Sequence, residues 1–68
     1  MPYFNYHAAA KKLILEGKLI HYSFEREYHG ISPVLLLFFN DLKHPIMPIR
    51  EHHWEEYLNL ISETEKHI

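Results

Sequence analysis

The sequence predicts an α+β fold of order α-β-β-β-α: a three-stranded antiparallel meander with both helices packed on one face. Three observations carry the prediction. Tyr6, Ala9, Ala10, Leu13 and Ile14 repeat at helical spacing ahead of Gly17. The segment ISPVLLLFFNDLKHPIMPIREHHWEEY then runs from an apolar strand through a polar turn and a proline-bearing strand into an aromatic-anchored helix. Sixty-eight residues leave room for one core only.

Each element has a local cause. Asn5 is placed to accept a hydrogen bond from a backbone N–H one turn on, which opens a helix over residues 6–16. Three alanines and two lysines favour that helix, and Gly17 supplies the left-handed residue that ends it. Over residues 19–28 the period changes to two. Ile20, Tyr22, Phe24 and Tyr28 share one side, interrupted by Arg26, and His21, Ser23, Glu25 and Glu27 share the other, as in a half-exposed strand. Gly30 and the Ser32-Pro33 pair turn the chain. Residues 34–39 form the second strand, and residues 40–43 close a hairpin onto a third strand over 44–49. Pro45 and Pro48 cannot donate to a ladder, so this third strand is an edge strand or an irregular one, and an edge fits it. The charge-dotted first strand takes the other edge, leaving the second in the centre. The last helix opens near Glu51, and Trp54, Tyr57, Leu58 and Ile61 form its apolar stripe. From about residue 62 the chain is polar enough to fray.

Composition sets the stability problem. A single domain spanning 1–68 buries only about 60% of its unfolded surface. The chain has no cysteine, which excludes disulfides and thiolate metal sites. Its 47% hydrophobic and 15% aromatic residues nevertheless form a folding composition. Self-association, most simply a homodimer, is the remaining reinforcement. The formal charge is −2 and the seven Lys and Arg are scattered, which argues against a nucleic-acid surface. MPYFNYHAAAKK lacks the pattern of a secretory signal, and no apolar run approaches the roughly 20 residues of a membrane span. The expectation is a cytoplasmic protein with no membrane partner.

Catalytic chemistry finds no foothold. Ser23, Ser32, Ser62 and Thr64 lie in no Gly-x-Ser-x-Gly elbow, and two glycines cannot build a phosphate-cradling loop. The pairs Glu25/Glu27 and Glu55/Glu56 read as solvated positions. Neither an enzyme nor a cofactor is expected. Of the seven histidines, His52 and His53 are adjacent and therefore point about 100° apart on a helix, unlike the i, i+4 pair of a zinc protease. A metal site would have to combine His52 or His53 with His44, His29 or His7 across the fold. Otherwise these are polar surface side chains.

The central strand defines the candidate interaction surface. In a two-layer fold it should alternate, yet Val34, Leu36 and Phe38 on one side and Leu35, Leu37 and Phe39 on the other are all apolar. Two helices cover only one set. The other is shielded by long neighbours or packs against a second copy, and the expectation adopted is the second. The expected interface is His21, Ser23, Leu35, Leu37 and Phe39, with register deciding which β2 set faces outward.

Two resemblances bear on function. The element order resembles the double-stranded RNA-binding domain, which implies recognition of RNA minor grooves. That family grips phosphates with a lysine cluster opening its second helix. The corresponding string here, Ile49-Arg50-Glu51-His52-His53-Trp54, carries one arginine and a glutamate instead. The segments PYFNYHAAAKKLILEGKL, ISPVLLLFFND and KHPIMPIREHHWEEY also resemble a group of short bacterial proteins of unknown role, some labelled thermostable haemolysin delta-VPH. That likeness covers nearly the whole chain, and its label implies membrane lysis. The residues themselves offer neither a spanning segment nor a strongly cationic amphipathic helix for such a role.

Overall fold

The computed structural model describes residues 5–65. The elements follow in the order α1 (Tyr6–Leu15), β1 (Leu19–Glu25), β2 (Val34–Phe39), β3 (Ile46–Arg50), a 3₁₀ turn (Glu51–His53) and α2 (Trp54–Glu65). The strands form one antiparallel sheet of order β1-β2-β3. This is an α+β fold of α-β-β-β-α order.

Both ends of α1 are closed by the residues that predict them. The Ala8 N–H donates to the Asn5 side chain at 3.0 Å, satisfying a donor that the first helical turn leaves open. At the other end Gly17 takes φ 75°. Its N–H donates to Ile14 and that of Lys18 to Leu13, both at 3.0 Å, which is the paired closure of a Schellman motif.

β1 ends at Glu25, three residues before the period-two pattern does. Residues 28–31 instead make a miniature hairpin in which Tyr28 and Ile31 exchange backbone hydrogen bonds of 2.9 and 3.0 Å. His29 (φ 49°) and Gly30 (φ 84°) both take the left-handed backbone of a type I′ turn. The Ser32 hydroxyl donates to the Arg26 carbonyl at 2.6 Å, and the Ser32–Pro33 peptide is cis. Alternation alone could not reveal the break, because Tyr28 keeps the parity of Phe24.

One apolar core holds the layers together. Ala10, Leu13 and Ile14 of α1 and Tyr57 and Ile61 of α2 pack with Leu35, Leu37 and Phe39 of β2 and Met47 and Ile49 of β3. Both helices therefore lie on the same face of the sheet. Tyr57 is the largest fully buried side chain. Trp54 is half-buried against the core and ties α2 to the end of β3, its indole N–H donating to the Ile49 carbonyl at 2.9 Å. Residues 62–65, whose polarity predicts fraying, remain helical, with the Thr64 hydroxyl donating to the Leu60 carbonyl at 2.8 Å. The rest of the predicted frayed tail, residues 66–68, lies outside the described residues.

Candidate functional site

Register fixes which side chains share the face that no helix covers. Ser23 pairs with Leu36 and Leu36 with Pro48; Glu25 pairs with Val34 and Val34 with Arg50; His21 pairs with Phe38 and Phe38 with Ile46. Directly opposed residues point to one side of a sheet. The helix-free face is thus made of His21, Ser23, Glu25, Val34, Leu36, Phe38, Ile46, Pro48 and Arg50, with the His21 ring stacked on Phe38 at 5.6 Å.

This corrects the expected interface. His21 and Ser23 face outward, but Leu35, Leu37 and Phe39 do not: they are 0%, 0% and 4% exposed in the core beneath the helices. The cause is the one-residue ambiguity of a strand that is apolar on both sides. The outward set is Val34, Leu36 and Phe38. Val34 and Leu36 are themselves buried without a partner, at 0% and 7% exposed. Ile31, in the connection between β1 and β2, lines a shallow pocket of about 240 Å³ with Pro48, Arg50, Tyr6, His7 and His53. The unbroken apolar run thus finds most of its cover within the monomer.

The exposed apolar surface lies at the edge of the sheet instead. Ile20, Tyr22 and Phe24 of β1 are 69%, 39% and 52% exposed. Ile20 is the extra residue of a bulge between Leu19 and His21. Phe24 meets Trp54 edge-on at 5.0 Å and Tyr22 at 6.4 Å, so the aromatic row along the edge is ordered by its own contacts.

The two sheet edges differ in backbone chemistry. Along β3, Pro48 has no N–H to offer, and its carbonyl accepts the Tyr6 hydroxyl at 2.9 Å. That carbonyl faces away from β2. By antiparallel alternation Leu36, opposite Pro48, turns its backbone groups toward β1 and Ser23. One step out of phase, Tyr22 and Phe24 direct their N–H and C=O groups to the free edge. The period-two pattern set these two residues on the side opposite the expected outer residues His21 and Ser23. Trp54, the first residue of α2, touches the edge of Phe24 but leaves Phe24 52% and Tyr22 39% exposed, and period two cannot report such partial cover.

A second cluster gathers where the two helices begin. His7 Nδ1 lies 2.7 Å from the Tyr57 hydroxyl, and the His7 ring lies 4.2 Å from that of His53, which is 4.2 Å from His52. Glu56 accepts from Lys11 and stands 3.8 Å from His53 Nδ1. Desolvation first, then the neighbouring His52, His7 and Lys11, hold the His53 pKa below its ordinary value. Burial pushes the Tyr57 phenol up to about 12. His44 lies apart in the β2–β3 loop, 3.4 Å from Asp41. Among the described residues no group of three or more His, Asp or Glu is arranged to hold a metal ion, so the candidates His52, His53 and His44 do not converge. Among the described residues no helix is long and apolar enough to cross a membrane.

No family model matches the chain, and neither the curated proteins nor the solved structures give a match.

Proposed function

We propose that this chain is a small cytoplasmic interaction protein that acts by binding rather than catalysis and works as a homodimer. The observation that carries the reading is the asymmetry of the sheet edges. One is blocked by Pro48 and the Tyr6 hydroxyl, while the other presents Tyr22 and Phe24 with their backbone groups turned outward. An open, apolar edge strand is a template for another strand, and natural sheets usually protect such edges with proline, lysine or cover. Here one edge has that protection and the other has an aromatic row.

Self-association also supplies what a domain of this size lacks. A copy that binds only the folded state stabilises it by mass action. The RNA-binding reading gains nothing from the corresponding region, where Arg50 is followed by Glu51, Glu55 and Glu56 around the start of α2. Equilibrium sedimentation over a wide concentration range tests the proposal. A reversible dimer is expected, and a chain that stays monomeric at millimolar concentration overturns it.

A further inference from the structure

Resting on the homodimer reading, we infer that two copies join edge to edge through β1, antiparallel about a two-fold axis at Ser23. The product is one continuous six-stranded sheet. The backbone selects this arrangement first. Tyr22 and Phe24 are the residues whose N–H and C=O groups face the free edge, and antiparallel ladders bond such residues to each other. A two-fold axis lying between two residues would set outward-facing groups against inward-facing ones, leaving the ladder unbonded. The axis must pass through a residue.

Side chains then choose which residue. With the axis at Ser23, Tyr22 of each copy opposes Phe24 of the other on the helix side, extending the edge-on aromatic row already present. On the opposite face Ser23 meets Ser23, and His21 meets the partner's Glu25, a ring N–H donor facing a carboxylate acceptor twice over. The segment His21-Tyr22-Ser23-Phe24-Glu25 is self-complementary when reversed. Moving the axis to Tyr22 sets Phe24 against the bulged Ile20 and Glu25 against Leu19. Moving it to Phe24 sets Tyr22 against Arg26, beyond the end of β1. Each alternative leaves a single ring, Tyr22 or Phe24, opposite its own copy, and neither sets His21 against a carboxylate within the strand.

The arrangement keeps the helices of both copies on one side and merges the two helix-free faces. Phe38 and its stacked His21 then lie beside the seam.

A cysteine-free chain makes the test direct. Directly opposed, non-hydrogen-bonded residues place their Cα atoms about 4.5 Å apart, within disulfide range. Ser23→Cys is therefore expected to give a disulfide-linked dimer under mild oxidation, while Leu42→Cys, fully exposed at 101% in the β2–β3 loop, is not. His21→Glu and Glu25→Lys singly should each weaken the dimer, on the order of tenfold for two lost pairs, and His21→Glu/Glu25→Lys together should restore it. Circular dichroism on each variant confirms that the exposed substitutions leave the fold intact. If the wild type is dimeric but Ser23→Cys does not cross-link and the double variant does not recover, the register is wrong and the homodimer stands. If the wild type is monomeric, both fall.

Discussion

His7 Nδ1 sits 2.7 Å from the Tyr57 hydroxyl and joins the first turn of α1 to the most deeply buried ring of α2. Tyr57 thus fills the core with its ring and satisfies its one polar atom at the core's margin. Removing the hydroxyl alone separates the two contributions. Tyr57→Phe should lower stability by about 0.5–1.5 kcal/mol, the net worth of one hydrogen bond. Tyr57→Ala should cost about 3–5 kcal/mol through the cavity it leaves. Urea melts measure both, and an unchanged midpoint for Tyr57→Phe would show that the His7 bond adds nothing.

The same burial predicts alkaline lability. Tyr57 is pushed up to about 12, and Tyr6 is raised further by burial and then by Tyr57 and Tyr28. In the unfolded chain both titrate near about 10. Raised native values mean the fold prefers neutral phenols, so their stabilisation is complete below about 10 and falls as the pH rises beyond it. Thermal midpoints should decline from about pH 10 upward, less steeply in Tyr57→Phe. Equal slopes in wild type and variant would remove Tyr57 as a cause.

His53 acts in the acid direction. Its lowered native pKa, caused by desolvation and then by His52, His7 and Lys11, favours the neutral ring. Stability from this group is present above the ordinary histidine value of about 6.5 and is lost as pH falls through the native value. His53→Gln should flatten the fall in midpoint between about pH 7 and about pH 5. A slope that survives the substitution assigns the effect elsewhere in the cluster.

Gly17 carries the turn from α1 into β1 at φ 75°, and a Cβ built there meets nothing within 4 Å. Any penalty from a side chain is therefore backbone strain without a clash. Gly17→Ala should cost about 1–2 kcal/mol, and Gly17→Asn less, since asparagine tolerates the left-handed region better. Chemical denaturation ranks the three, and an Ala variant as stable as wild type would mean that the helix ends differently.

The fold was legible because its signals are local. Asn5 and Gly17 bracket α1, Pro48 marks an edge, and Trp54, Tyr57, Leu58 and Ile61 draw the face of α2. The site was less legible because it depends on reach. Leu35 and Leu36 are equally apolar, so only the register shows that one packs in the core beneath the helices and the other lies on the helix-free face. Tyr22 and Phe24 have the parity of core residues but stay 39% and 52% exposed, with Phe24 met only at its edge by Trp54. His7 and Tyr57 lie 50 positions apart, a separation that no sequence spacing encodes.

The assignment of the two faces of β2 is itself open to a decisive test with neighbouring residues. Leu37 is fully buried among the helices, whereas Phe38, one position on, is half-buried on the helix-free face. Leu37→Ala should cost about 2–5 kcal/mol, against a total of roughly 3–10 kcal/mol for a chain of this length. A charge at Leu37 has no partner in the core, so Leu37→Asp should leave the chain unfolded. Phe38→Asp keeps its carboxylate in reach of water and beside His21, and should remain folded with a modest loss. Far-ultraviolet circular dichroism and cooperative urea transitions distinguish the pair. A folded Leu37→Asp beside an unfolded Phe38→Asp would place the helices on the other face and return Leu35, Leu37 and Phe39 to the exterior.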